Sequence, residues 1–326
     1  MGHQVVAPDG NGYYPVGANV GIPGYFDWRG VANGHASDAV AWGWNTVRLT
    51  ILCTDVVAPP PSDGAIASLV QEYTAKKIVV VIGCWDMTMN NQGDGTSLSD
   101  PTVLKLDAFW TRMAQQYKTN PYVWFNAENE PYWTDNAGWV AFQDHFLHLV
   151  RAQGAENIFV ADVMNAGNDA GWGGARFVYD PSMGPAVSAG QCNVLFSMHN
   201  YGGVDDTITS SVYWQNVASA NLPEMVGEFG YTVDGSSTAG SYRQNLNGAL
   251  STFNLAPNFG VGMLWWHATH GDNYSLKQSG NAFYADGGSS SNLSPAGQRL
   301  WNVGHAKPNL GRFTGDLRQS HCASAG

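Results

Sequence analysis

Two glutamates stand where apolar runs of this chain end. Glu130 lies in FNAENEP, just after Tyr122–Asn126 (YVWFN), and Glu228 lies in MVGEFG, just after Pro223–Gly227. Other runs end in a similar way. Arg48 lies within TVRLTIL, Trp85 and Asp86 follow IVVVIG, and Asp162 and Asn165 follow NIFVA. His199 and Tyr201 follow VLFSM, and Trp266 with His267 closes GMLWW. A carboxyl that gives up a proton, set opposite a carboxylate that attacks carbon or activates water, is the pair that cleaves a glycosidic bond. Histidine exchanges protons near neutrality, and an indole offers a flat apolar face to a sugar ring. Strand ends that serve structure alone have no need of two glutamates, an arginine, a histidine and a tyrosine together.

Eight short β-rich runs can carry these residues: Tyr14–Asn19, Thr46–Leu52, Ile78–Gly83, Tyr122–Asn126, Asn157–Ala161, Val194–Met198, Pro223–Gly227 and Gly262–Trp266. Helical stretches fall between them near Ser37–Gly43, Gly64–Ala75, Pro101–Tyr117, Gly138–Gln153, Ile208–Ala220 and Ser241–Asn254, with a last one near Ser294–Val303. The Gly/Pro-rich interval Asp169–Gly190 holds only a weak helix signal. Strands that alternate with helices predict a parallel sheet covered by helices. Polar residues at the run ends recur at 48, 86, 130, 162, 199, 228 and 267, the near-regular beat of repeated βα units. Eight units favour a closed (β/α)8 TIM barrel, read as a single catalytic domain over 1–326, with its site at the C-terminal strand ends. No Gly-x-Gly-x-x-Gly turn follows the first run, which weakens a dinucleotide-binding alternative.

Composition narrows the chemistry. The 326 residues hold 15 Lys and Arg against 26 Asp and Glu, a net charge of −11, which argues against nucleic acid or an anionic membrane as partner. No uninterrupted apolar window is long enough to span a membrane. Charged residues make up only 13%, while 13 Trp and 14 Tyr suit the stacking of neutral, hydroxyl-rich ligands. Four cysteines are too few for a disulfide scaffold. Cys53 with Cys84, and Cys192 with Cys322, could each form a bridge, or the thiols could be free. The opening Met1-Gly2-His3-Gln4 shows no basic stretch followed by an apolar core, so the expectation is a secreted protein whose leader is not part of this sequence.

Asn129-Glu130-Pro131 and Gly227-Glu228-Phe229-Gly230 resemble the acid/base and nucleophile motifs of glycoside hydrolase family 5. Asn45-Thr46-Val47-Arg48-Leu49 resembles its second-strand motif, His199-Asn200-Tyr201 its His-x-Tyr on strand six, and Leu264-Trp265-Trp266 its strand-eight tryptophan. The resemblance covers most of the chain. It implies a (β/α)8 barrel and a retaining mechanism on β-linked sugars. By that resemblance Glu228 is the nucleophile that forms a glycosyl-enzyme, and Glu130 is the general acid and then the base. Retention requires the two carboxyls about 5–5.5 Å apart. Glu130 must keep its proton near neutral pH, which an ionised neighbour favours. Asn129 is to hydrogen-bond the sugar 2-hydroxyl, Arg48 and Tyr201 to hold Glu228 ionised and oriented, His199 to join the network around Glu130, and Trp266 to form the floor under the sugar. Trp265 and Trp266 point to opposite faces of their strand, and Trp266 is expected inside. Family members usually carry a histidine just after strand three, followed in bacterial mannanases by aspartate. Here Trp85 takes the histidine's place ahead of Asp86.

The wording FNAENEPYW and VADVMNAG resembles bacterial endo-β-1,4-mannanases more than cellulases. The expected substrate is therefore β-mannan, with cellulose or mixed β-glucan as the alternative. Trp85, Trp133, Trp172, Trp214 and Tyr231 are candidates to line further subsites, against core packing as the plainer reading. Asn91–Gly95 and Asp205-Asp206 lack EF-hand spacing and read as solvated loops. The nine His include no His-Glu-x-x-His pair, so no metal and no cofactor is expected. Gly287–Ser291 reads as a loop on the active-site face. The expected partner is a polysaccharide or oligosaccharide, and the expected state a monomer. A carbohydrate-binding protein on a dead hydrolase scaffold would lack one of the glutamates, and a transglycosylase would share every residue named.

Overall fold

The computed structural model describes residues 5–6, 12–22, 33–55, 59–86, 97–131, 136–163, 167, 192–202, 213–215, 218–219, 223–231, 239–268, 274–278 and 282–306. Eight parallel strands close a barrel: β1 (Val16–Val20), β2 (Thr46–Ile51), β3 (Val79–Cys84), β4 (Val123–Asn126), β5 (Phe159–Asp162), β6 (Val194–Asn200), β7 (Glu224–Phe229) and β8 (Gly262–Trp265). Each pairs with the next, and β8 returns to β1 through Met263 opposite Val16 and Trp265 opposite Ala18. The longer helices among the described residues are α1 (Ala36–Ala41), α2 (Asp63–Thr74), α3 (Pro101–Tyr117), α4 (Asn136–Ala152), α5 (Ala239–Asn254) and α6 (Pro295–Ala306). This is the expected (β/α)8 barrel, each predicted run coinciding with a strand. Most of the helix expected over Ile208–Ala220, the interval Asp169–Gly190, and the loops Asn91–Gly95 and Asp205-Asp206 lie outside the described residues.

Every residue of the eight barrel strands is buried, because helices cover the outside of the barrel and side chains fill the inside. Alternation then sorts each strand into two faces. On β2, Val47, Leu49 and Ile51 join the large outer core with Ile66, Leu69, Phe109, Trp110 and Phe142, while Thr46, Arg48 and Thr50 take the opposite parity. The lower interior is apolar: Val79, Val81, Trp124, Val160, Leu195, Met225 and Leu264 pack there around Tyr13. Tyr13 comes from a short antiparallel ribbon, Val5–Val6 with Gly12–Tyr13, that the sequence does not announce. Its hydroxyl donates to the Asn45 carbonyl at 2.9 Å, and its ring meets Trp124 edge-on at 5.5 Å. Above this plug the same parity delivers Asn19, Arg48, Asn126, Asp162, Ser197 and His199, so a polar layer sits on an apolar one.

Local chemistry fixes the surrounding pieces. Asp100 caps α3 by accepting from Thr102 N at 2.8 Å, with Pro101 in the first turn. The α3 residues Val103, Leu106, Trp110, Met113 and Tyr117 then form a stripe at helical spacing against the barrel, each large apolar side chain contributing about 1.5–3 kcal/mol on burial. The C-terminal ends of β2 and β3 are joined by a Cys53–Cys84 disulfide with Cα atoms 5.4 Å apart, one of the pairings left open above. Buried Asp86 sits beside it, accepting from Cys53 N at 2.7 Å, Thr54 N at 2.9 Å and the Thr54 hydroxyl. Burial pushes its carboxyl up, opposed by these hydrogen bonds. Cys192 is also disulfide-bonded, and Cys322 lies outside the described residues.

Candidate active site

The polar layer is organised by Arg48. Its Nη1 donates to Glu228 Oε1 at 2.7 Å and Asn19 Oδ1 at 3.1 Å. Its Nη2 reaches Asn126 Oδ1 and Asn129 Oδ1, both at 2.7 Å, and Asp162 Oδ2 at 3.0 Å, while Nε reaches Asn126 Oδ1 at 2.9 Å. A guanidinium buried this completely must have such partners. Gly83 makes room for it: a Cβ there would lie 3.1 Å from Asn126 Oδ1 and 3.5 Å from Arg48 Nε.

Glu130 follows β4 on a backbone held in the left-handed region (φ +48°), a conformation that non-glycine residues adopt at a cost and that surrounding contacts must hold. Those contacts are visible. The Glu130 N–H donates to Asp162 Oδ2 at 3.2 Å, and the preceding Asn129 N–H to the Cys84 carbonyl at 2.7 Å. The Glu130 carboxyl meets His199 Nδ1 at 2.8 Å. Glu228 ends the regular part of β7, where a register shift against β6 aligns it with His199. Besides Arg48 it accepts from the Tyr201 hydroxyl at 3.2 Å, and His199 Nδ1 lies 3.5 Å away. Gly227 lets β6 and β7 approach, since a Cβ there would fall 2.1 Å from Ser197 Oγ. One oxygen of Glu130 and one of Glu228 lie within 4.8 Å of each other.

The charges are set by competition between burial and neighbours. Burial lowers the affinity of His199 for a proton, but Glu228 and Asp162 outweigh it and hold His199 up to about 10. Burial likewise penalises charge on Asp162, yet Arg48 and His199 keep its carboxyl below the usual range. Burial, joined by Glu130 and Asp162, pushes the Glu228 carboxyl up, against the pull of His199 and Arg48. Burial and then Glu228 raise Tyr201 well above an ordinary phenol, so it remains a hydrogen-bond donor. Glu130, His199 and Glu228 are also metal-ligand types, but here Arg48 and His199 already balance the carboxylates.

Asn129 completes the arrangement. Its Oδ1 is taken by Arg48, while its Nδ2 is buried with no partner among the described residues. A buried amide donor left open in this way is the donor that a sugar hydroxyl would fill. Trp266 takes the inward parity on the β8 side, and Trp265 turns outward among Phe229, Tyr231 and Phe253, as expected. Trp85 and Trp266 stack in nearly parallel planes, 4° apart with ring centres at 5.3 Å, although β1 and β2 stand between their strands. The structure therefore brings together Arg48, Trp85, Asn129, Glu130, His199, Tyr201, Glu228 and Trp266. Trp133, Trp172 and Asn165 lie outside the described residues. Trp214 and Tyr231 are corrected to core: Trp214 is buried with its Nε1 on Ser251 Oγ, and Tyr231 packs edge-on against Trp265. Asp162, which the sequence marks only as a polar run end without a role, belongs to the site, as do Asn126 and Asn19, which are not among its expected members. The available signal was an acid or amide ending a run at inward parity.

A family model described as cellulase (glycosyl hydrolase family 5) matches residues 16–272, which include every barrel strand. The chain belongs to glycosyl hydrolase family 5. A mannan endo-1,4-beta-mannosidase of Streptomyces lividans is 26% identical over 237 residues, covering 70% of this chain and 56% of that protein. The chain thus spans little more than half the length of that relative. One from Cellvibrio japonicus (strain Ueda107) is 23% identical over 316 residues, covering 91% of this chain and 71% of that protein. Among solved structures, the catalytic domain of a mannanase from Streptomyces sp. SirexAA-E superposes with a TM-score of 0.71 at 22% identity, covering 97% of this chain and 92% of that one. That likeness shows a shared fold. Within the family-5 barrel, residues 130 and 228 stand at the ends of strands four and seven.

Proposed function

We propose that this chain is a retaining endo-β-1,4-mannanase. The observation that carries the reading is the meeting of Glu130 and Glu228 within 4.8 Å, since inverting pairs leave about 6.5–9.5 Å for a water. Arg48 fixes Glu228 Oε1 at 2.7 Å, and Oε2, held by the longer Tyr201 contact, is the oxygen that attacks the anomeric carbon. Glu130 protonates the departing oxygen and then takes a proton from the water that releases the sugar. Asn129 Nδ2 binds the 2-hydroxyl, and Trp266 carries the ring. No cofactor enters these steps. Mannan is favoured because two relatives that align with most of this chain are named mannan endo-1,4-beta-mannosidases. The second reading, an endo-β-1,4-glucanase, is favoured by the cellulase description of the family itself. In this proposal the protein works outside the cell as a monomeric catalytic domain on a neutral polysaccharide. The Cys53–Cys84 disulfide, which suits an oxidising compartment, supports that placement.

The test is reducing-sugar release from β-mannan and carboxymethylcellulose in parallel, with Glu228→Ala as control. Mannan activity that disappears in the variant is the expected result. Release from the cellulose derivative alone keeps the mechanism and overturns the substrate. No release from either, by folded protein, overturns both.

A further inference from the structure

Asp162 and His199 make and break no bond to sugar in the reaction just proposed, yet both are buried and both touch the groups that do. Asp162 Oδ2 receives Arg48 Nη2 and the Glu130 N–H, and lies 3.3 Å from His199 Nε2. Its Oδ1 receives Asn126 Nδ2 at 3.2 Å. From the other edge of the same ring, Nδ1 stands 2.8 Å from Glu130 Oε1 and 3.5 Å from Glu228 Oε2. A carboxylate faces each nitrogen, a setting that suits a ring with two N–H donors.

We infer that Asp162 keeps His199 a standing imidazolium, and that this cation balances whichever of Glu130 and Glu228 is negative during turnover. The inference rests on the retaining reading. The retaining reading assigns Glu228 and Asp162 as anions, Arg48 and His199 as cations and Glu130 as the acid of the free enzyme, so the buried cluster is neutral. In the first step the bond from Glu228 Oε2 to the anomeric carbon forms as the bond to the leaving oxygen breaks. The leaving oxygen keeps that electron pair and takes the Glu130 proton. Glu228 becomes a neutral ester, Glu130 becomes an anion, and the cluster is neutral again. In the second step water bonds to the anomeric carbon, its proton passes to Glu130, and Glu228 departs as the anion. Charge moves from one carboxylate to the other and back, and Nδ1 reaches both from one ring position. A neutral His199 would leave that charge short of a partner in a buried site. His199 and Asp162 are thus positioning residues, and His199 is no proton shuttle.

The surroundings agree. Among the described residues, the titratable groups facing His199 are Glu130 after β4, Asp162 on β5 and Glu228 on β7, and Glu228 in turn bonds Arg48 from β2 and Tyr201. Gly167 also packs against the ring, since a Cβ there would fall 2.6 Å from His199 Cγ. Glu228 and Asp162 overcome burial and raise the imidazole far above an ordinary histidine.

The test is a histidine ring-nitrogen NMR titration of the whole chain, with the His199 signal assigned by its loss in His199→Gln. The wild-type ring is expected to keep the imidazolium pattern up to about pH 9, and a midpoint near the ordinary value of about 6.5 overturns the inference. In Asp162→Asn the midpoint should fall toward neutrality and kcat/KM should drop roughly 100-fold, mostly in kcat, as the alkaline limb of the pH profile moves down. An Asp162→Asn enzyme whose profile overlays the wild type overturns it too. If that variant does not fold, the wild-type titration still decides. Absence of hydrolysis by the wild type would refute the proposed function and leave the charge on His199 readable.

Discussion

Replacing Arg48 with methionine, an apolar side chain that also reaches into the barrel, isolates the charge on which the polar layer is built. The guanidinium joins Glu228 at 2.7 Å and Asp162 at 3.0 Å, all three groups being buried, and it also occupies Asn19, Asn126 and Asn129. Without it, two buried carboxylates face His199 as their cation. Removing one partner of a buried pair costs about 3–5 kcal/mol, because the other charge is stranded. The second carboxylate does not double that figure, since either acid can take up a proton and escape part of the penalty. At about 2 °C per kcal/mol for a chain of this size, Tm at pH 7 should fall by roughly 6–10 °C. The pH dependence has a definite sign. Arg48 and His199 hold Asp162 below its ordinary value, so its contribution is present above that value and is lost as pH falls through the depressed one. Acid therefore weakens the wild type while it neutralises the stranded acids of Arg48→Met, and the gap in Tm should narrow toward about pH 4. Arg48→Lys, with one compact ammonium in place of the fork, should fall between the two. Calorimetric melts of the three proteins across pH check this. A loss under about 1 kcal/mol at pH 7, or a gap that does not close in acid, refutes the reasoning.

Three further outcomes follow from the same geometry. Glu228→Ala should lower kcat at least about 10⁴-fold, and added azide should restore turnover to give the α-glycosyl azide, identified by proton NMR. A β-azide would mean attack from the face opposite residue 228. Serine at both 53 and 84 removes a link of sequence separation 31 and should cost about 3.5 kcal/mol, read from guanidinium unfolding with the reduced wild type as a second arm. Trp85→Ala removes the indole stacked on Trp266, an interaction of about 0.5–1.5 kcal/mol, and should raise KM about 2- to 10-fold with kcat largely kept. An unchanged KM would mean that the Trp85 ring plays no part in holding substrate.

The eight strands are legible in the sequence because a barrel strand is covered on both faces. Runs such as TVRLTIL and IVVVIG then stand out as continuous apolar stretches, whatever the loops between them do. The two glutamates are legible because they end such runs, and Trp266 is separated from Trp265 by parity alone. Trp214 and Tyr231 show where that logic stops. Both follow strand ends in the chain, but the path of the backbone after a strand decides whether an aromatic turns over the mouth or back into the core. Their partners Ser251 and Trp265 come from α5 and β8. The Tyr13 ribbon is too short to carry any periodicity.

Asp162 and Asn126 were the harder residues to see, and the reason is physical. An acid closing NIFVA reads equally well as a loop cap. Its meaning depends on Arg48 of β2, three strand pairings away, as well as on His199 of the neighbouring β6, so it exists only once the sheet closes. Parity could have narrowed the choice. Arg48 is an inward cation, and a buried cation needs inward acceptors near its own height. On neighbouring β1 such an acceptor is Asn19, while on β3 the inward positions are apolar or glycine, so the remaining acceptors come from Asn126, Asp162 and Glu228. Demanding partners for Arg48 would therefore have pointed to Asp162 before any geometry was known. The same demand, applied to His199, shows why this aspartate belongs with the glutamates: it supplies the second anion that two buried cations require.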